Sequence, residues 1–437
     1  MAVSAIGAAA GAGPAAWILT HRPPVFPPLN DAWYYQWQAR YLVDGVGWFV
    51  SPSQYAYFHV VMPSAQHPPL WTLMLALADT LGLTTFLGHI LVTCAIGAAA
   101  VVVTAVAARR VAGPVAGMAA AVMAAVYPNY WLNDFTGLPE MLTILMIAGV
   151  VWASFRFWHD PSMRTMAVLG ILCGLAAATR AEQTFLVVCV LVPLALVLRG
   201  VPLRRRLGLA ALGTAMVVVV IGPWIGYNLS RFERTVFMSD DFTGALASAN
   251  CHQTYYGNLI GYFSFACLAE SDKHVHGGKV LPGDESVQDT AVEHVALRYM
   301  TAHQNRLPLV VAARLGREFG LFDPWEQVKL DAAYAHRSLL ASRLGLLGYY
   351  VLLAGAVAGG VVLRRRRVTL VPFLGVFVLL VVTTAATFGS IRYRAPLEAV
   401  LVILAAVAVA AAAPRLRRGG RTGVVVRADP APAPATV

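Results

Sequence analysis

Charge is what this chain has least of. Only 13% of its 437 residues are Asp, Glu, Lys or Arg, against roughly 25% in an average soluble domain. A water-solvated globular exterior is therefore excluded for most of its length. Lysine is nearly missing: Lys273, Lys279 and Lys329 are the only three, and all fall in one segment. The five cysteines show no metal-ligand spacing, which removes the common structural zinc sites. No internal repeat is visible, so solenoids are excluded and a transporter built from two related halves is disfavoured.

What is present is apolar. Hydrophobic residues make up 58% of the chain, and runs of the roughly 20 residues needed to cross a bilayer recur along it. The sequence reads as an all-α polytopic membrane protein. The net charge of +11 needs no nucleic-acid partner, because its clusters fall between apolar runs, as cytoplasmic anchors do. They are Arg109-Arg110, Arg204 to Arg206, Arg364 to Arg367, and the tail around Arg415, Arg417 and Arg418. About ten spans follow, near 2–20, 84–107, 115–131, 139–156, 166–179, 183–199, 208–226, 340–363, 368–388 and 396–413. The first competes with a cleaved signal peptide, although its Ala and Gly also suit close helix packing. Placing every Arg cluster inside puts 21–83 and 227–339 outside the cell membrane.

The expected organisation is a transmembrane catalytic module over 1–226, a large extracytoplasmic loop domain over 227–339, closing transmembrane helices over 340–413 and a disordered cytoplasmic tail over 414–437. In the first external loop, Asn30-Asp31 precedes an aromatic stretch that Gly45 closes, the pattern of a short capped helix. Trp33, Trp37 and Tyr41 share one face, as an interfacial helix requires. Leu70 to Leu81 predicts a second short helix. Asp31 has two readings on spacing alone, an N-cap or a carboxylate exposed at the membrane surface. Within 227–339, helical periodicity runs over 286–303 and 309–319. Cys251 and Cys267 are the only cysteines outside the spans, and in an oxidising compartment they would pair. Arg180, Arg392 and Arg394 fall on the outer side, against the usual bias. A phosphate would explain them, and so would pairing with Glu182 or Glu398.

The run Asn30-Asp31-Ala32-Trp33-Tyr34-Tyr35…Gly45…His67-Pro68-Pro69-Leu70 resembles the first external loop of GT-C membrane glycosyltransferases. It is most similar to the branch of bacterial protein O-mannosyltransferases and the lipid A aminoarabinose transferase. Pro139-Glu140, Ala178-Thr179-Arg180-Ala181-Glu182 and Arg392-Tyr393-Arg394-Ala395-Pro396-Leu397-Glu398 resemble that branch in the same order. The resemblance implies a GT-C-like fold with short external interfacial helices. It implies an enzyme that moves a sugar from a polyprenyl-phosphate donor to a cell-envelope glycan, lipid or protein. Asp31 is then the catalytic base, and Asp134 or Glu140 a second acid that contacts the donor or a metal. Arg394, Arg392 and Arg180 are expected at the donor phosphate, with Tyr34, Tyr35 and His67 lining the substrate site. The first loop lacks a carboxylate pair, which leaves use of a divalent cation open. The nearest rivals are an oligosaccharide ligase using a lipid diphosphate, relying on His252 or Arg314, and a flippase for lipid-linked sugars.

Overall fold

The computed structural model describes residues 2–20, 30–276 and 283–417. Helices make up nearly all of its regular structure, and an isolated bridge between Val50 and Pro63 is the β-type pairing present. Five helices are long and apolar enough to cross a membrane: Phe86–Ala112, Glu140–His159, Leu203–Arg231, Leu339–Arg365 and Ile391–Ala413. A sixth candidate is a pair bent by 60°, Pro114–Val126 followed by Pro128–Phe135, where Pro128 breaks the ladder. Met163–Thr179, Ala181–Leu196 and Val371–Ala386 are shorter apolar helices. All ten expected segments are thus helical, and five or six meet the length and composition of a span. The chain folds as an all-α, multi-pass membrane protein.

Small residues bring the helices together. The Ala2–Thr20 helix lies on Phe86–Ala112, and a Cβ at Gly11 would stand 2.7 Å from the Ala98 methyl carbon. Leu339–Arg365 packs on Ala395–Arg417, where a Cβ at Gly359 would collide with the Leu404 carbonyl. Such contacts suit helices that must associate without a hydrophobic driving force.

The arginine clusters and the long loops sit at opposite helix ends. Arg109 and Arg110 close the helix that begins at Phe86, and Arg364 and Arg365 close the one that begins at Leu339. At the other end, Glu140 opens a span, Arg180 caps Met163–Thr179, and Arg392 lies in the turn that opens the last span. The first loop carries helices Asp31–Val43, Pro52–Phe58 and Pro69–Thr80. The Trp71 indole, fully buried, donates to the Gly137 carbonyl at 3.1 Å and locks this loop onto the bundle.

The segment between the spans at Leu203–Arg231 and Leu339–Arg365 folds into short helices, among them Asp241–Ala249, Glu285–Ala302, Leu307–Glu318 and Pro324–Tyr334. It forms a cap with a small apolar centre of Leu246, Ala247, Val292 and Ala296. Cys251 and Cys267 are joined by a disulfide within it. Asp240 N donates to the Ala65 carbonyl at 3.1 Å, so the cap touches the first loop directly. The C-terminal tail expected to be disordered lies, from residue 418, outside the described residues.

Candidate active site

The Asp31–Val43 helix begins with a division of labour between two neighbouring residues. Asn30 is the N-cap, and its side chain accepts from Ala32 N at 3.0 Å and Trp33 N at 3.3 Å. Asp31, one residue on, is not needed for capping and turns its carboxylate into a cavity. One of the two readings of Asp31 is thereby settled in geometry. Asn30 does the work assigned to an N-cap.

The cavity measures about 400 Å³ and lies where the first loop, the cap and the bundle meet. Asp31, Tyr35, His67, Arg180, Asp241 and Arg392 form its polar end. Leu379, Leu380, Val382, Thr383 and Ala386, all from the Val371–Ala386 helix, form an apolar wall with Phe185.

At the polar end, Asp31 Oδ2 pairs with Arg392 Nη2 at 2.6 Å. The Arg392 Nε donates to Glu140 Oε1, and Arg180 Nη1 reaches that same oxygen at 3.2 Å. Arg180 also pairs with Glu182 at 2.5 Å, and its guanidinium lies 4.9 Å from the Tyr393 ring centre. Glu140 is fully buried behind the two arginines, so it holds them side by side without itself facing the cavity. The Tyr334 hydroxyl lies 3.3 Å from Arg392 Nη1 and donates to Asp31 Oδ1 at 3.4 Å. Burial works against ionising Asp31, but Arg392 and then His67 outweigh it and hold the carboxyl at about 2. Asp31 is therefore an anion at neutral pH.

His67 is fixed by its neighbours. Pro69 occupies the first turn of the Pro69–Thr80 helix, and Pro68 ahead of it keeps the backbone extended. The imidazole stacks on Tyr35 with ring centres 4.6 Å apart. Its two nitrogens face Asp31 Oδ1 and Asp241 Oδ2, each at 3.9 Å. Burial raises the Asp241 carboxyl above its usual range, with His67 acting in the opposite sense.

Some expected residues are placed elsewhere. Tyr34 stands behind His67 rather than in the cavity; its hydroxyl is 2.8 Å from Ser64 Oγ. Asp134 is buried against the Phe86–Ala112 helix, where the missing side chain of Gly97 leaves room for its carboxylate. It does not line the cavity, and of the two expected acids Glu140 is the one joined to Asp31, through Arg392. Arg394 is a correction of a different kind. Its Nε pairs with Glu398 at 2.9 Å, its Nη1 donates to the Glu318 carbonyl at 3.2 Å, and its guanidinium lies 3.6 Å from the Tyr349 ring centre. It is fully buried and does not line the cavity, so Arg392 and Arg180 are the cations that a ligand would meet.

The residues expected of a ligase also lie outside it. Arg314 is buried and donates to the Ala385 and Ala249 carbonyls, and His252 stacks on Tyr256. Among the described residues, no three His, Cys, Asp or Glu side chains come together as a metal site. Sequence reasoning missed Asp241 and Tyr334, both in the cap. An Asp240-Asp241 pair ahead of an apolar helix is the available signal for the first.

Comparisons with known proteins agree with this architecture. Residues 66–227, less than half of the chain, match the model of the dolichyl-phosphate-mannose-protein mannosyltransferase family. No curated protein matches the sequence. The archaeal oligosaccharyltransferase AglB from Archaeoglobus fulgidus, solved with an inhibitory peptide and a dolichol-phosphate, superposes with a TM-score of 0.53 at 14% identity, over 96% of this chain and 52% of that one. The same enzyme solved with Zn and sulfate gives 0.53 at 15% identity, over 94% and 50%. ArnT from Cupriavidus metallidurans bound to undecaprenyl phosphate gives 0.46 at 16% identity, over 94% and 78%. The chain spans about half the length of the oligosaccharyltransferase. The resemblance to GT-C membrane glycosyltransferases stands at the level of the fold.

Proposed function

We propose that this protein is a membrane glycosyltransferase that moves a sugar from a polyprenyl-phosphate donor to a cell-envelope glycan, lipid or protein, on the extracytoplasmic side. One observation carries the reading: a single cavity joins an apolar wall on the Val371–Ala386 helix to two arginines and an ionised Asp31. A polyprenyl chain fits the wall, and its phosphate fits Arg392 and Arg180, whose planar forks suit phosphate oxygens. AglB was solved with a dolichol-phosphate, which supports a lipid-phosphate donor here.

In the resting cavity Arg392 neutralises Asp31. A donor phosphate competes for the same guanidinium, and drawing it off leaves Asp31 a stronger base. Asp31 then takes the proton of the acceptor hydroxyl as that oxygen attacks the anomeric carbon. The bond to the phosphate breaks, and the departing charge stays on Arg392 and Arg180. Attack opposite the leaving group inverts the anomeric centre. Glu140, paired with both arginines, holds them side by side.

Release of polyprenyl phosphate from a panel of polyprenyl-phosphate sugars, by purified protein in lipid nanodiscs, tests the reaction. Release from at least one sugar, dependent on Arg392, is expected; none from any of them contradicts the proposal. Sidedness is tested separately by cysteine labelling at the exposed positions Gln304 and Arg366. Modification of the first alone from outside intact cells is expected, and modification of both contradicts it.

A further inference from the structure

A second, smaller opening of about 140 Å³ meets the main cavity at the reacting end. Asp31, Asp241, Arg392 and Tyr393 line both, so a group entering the smaller space arrives beside the proposed base. Its walls differ from those of the main cavity. The apolar helix is absent, and its place is taken by aromatic rings, Phe263, Phe265 and Tyr334 from the cap and Phe388 from the connection after Val371–Ala386. Phe263 sits 5.4 Å from Tyr334 and 4.8 Å from Phe388, ring centre to ring centre. Phe265 lies nearly parallel to Tyr334 at 6.1 Å and remains 58% exposed. A large aromatic face left open at the mouth of a polar pocket is available to a ligand.

The platform is held in place. Cys267, two residues beyond Phe265, is tied to Cys251 by the disulfide. Ser264 N donates to the Ser248 carbonyl at 2.9 Å, and Gly389 N donates to the Gly261 carbonyl at 2.9 Å. Asp241, Gln66 and Ser248 line the same opening and supply hydrogen-bonding groups. Asp240 and Asp31 lie close enough to Asp241 to raise its carboxyl further. Arg180, which lines the main cavity, does not reach this opening, where Arg392 stands beside Asp31 and Asp241.

Resting on the glycosyltransferase reading, we propose that the smaller opening is the acceptor subsite and that it takes a neutral sugar. The C–H face of a sugar ring stacks on Phe265 and Tyr334, and its hydroxyls bond to Asp241. That posture presents one hydroxyl to Asp31. A volume below the roughly 300 Å³ of drug-sized sites admits one ring and little more. The occupant is the end of a glycan, because the open face of Phe265 suits the C–H face of a sugar ring. Asp241 is a binding residue in this scheme, and Asp31 remains the base.

Saturation-transfer NMR on the full-length protein in nanodiscs tests this without a donor. The probes are neutral disaccharides of mannose, glucose, galactose and arabinose, and a Thr-containing octapeptide. At least one disaccharide should receive saturation on its ring C–H protons. The signal should fall several-fold in Phe265→Ala and in Asp241→Asn, and persist in Arg180→Ala. Both informative changes are at accessible positions, and an unchanged melting temperature checks the fold. Absence of transfer to every sugar overturns the proposal. So does sugar binding that survives both substitutions, or binding of the peptide alone through Phe265 and Asp241. The two readings fail separately. A chain without transferase activity that binds sugars through these residues keeps the subsite and loses the function. An active transferase whose sugar binding ignores them keeps the function and loses the subsite.

Discussion

Arg392 and Arg394 stand two residues apart in one turn, yet they belong to different parts of the molecule. Both are paired with carboxylates, Arg392 with Asp31 and Glu140, Arg394 with Glu398. The first pairing opens on a cavity of about 400 Å³ and the second is sealed beneath Tyr349. The turn over Ile391–Arg394 is a 3-10 helix, in which residues two apart point about 240° apart. Asp331 fixes its register by accepting from Ser390 Oγ at 2.7 Å and from Ile391 N at 3.0 Å. The lesson is that a buried, charge-paired arginine becomes a site only where its pair can be exchanged for a ligand's. Arg392 can make that exchange and Arg394 cannot.

The contrast breaks first under alanine. Arg392→Ala should fold, because Asp31 borders a cavity that water can fill and Glu140 keeps its pair with Arg180, and should lose transfer by on the order of 10²–10³ through the missing phosphate contact. Comparable rates for wild type and Arg392→Ala, with any active donor, would merge the two arginines into one structural class. Arg394→Ala should behave in the opposite way. It strands Glu398, and breaking a buried pair costs about 3 kcal/mol or more, so the melting temperature in detergent should drop clearly. The surviving folded fraction should retain its turnover per molecule. An unchanged melting temperature with lost turnover would return Arg394 to the site.

Much of the site is legible in the sequence. Asp31, His67, Glu140, Arg180 and Arg392 stand out as polar residues away from the arginine clusters that close the apolar runs, and they converge. The helices at Asp31–Val43 and Pro69–Thr80 and the Cys251–Cys267 bridge follow from cap residues, helix length and compartment. What is not legible depends on direction. Arg394 is indistinguishable from Arg392 along the chain, because separating them needs the 3-10 register. Asp134 looks like a loop acid along the chain, because Pro128 signals a break but not that the carboxylate turns into the space over Gly97. Asp241 and Tyr334 come from the cap, whose short helices are placed by tertiary contacts rather than by periodicity.

A smaller effect sharpens the comparison through pH. The Asp31 carboxyl is held at about 2 against its ordinary 3.8. A carboxyl lowered on folding contributes stability above its unfolded pKa, and the contribution fades as pH falls through the folded value. The Asp31–Arg392 pair should therefore add on the order of 2 kcal/mol above about pH 4. The stability gap between wild type and Arg392→Ala should shrink between pH 4 and pH 2, read from chemical denaturation in detergent. A gap that stays constant across that window would mean that the pair is not formed in solution.

The central claim is that Asp31 is the proton acceptor while Asn30 alone caps its helix, and Asp31→Asn separates the two roles. Asparagine preserves size and polarity but cannot take the proton. The variant should insert and fold, losing no more stability than the broken Arg392 pair supplied. Its transfer rate at saturating donor should fall by about 10²-fold or more. Turnover close to wild type in a correctly folded Asp31→Asn protein would contradict the account.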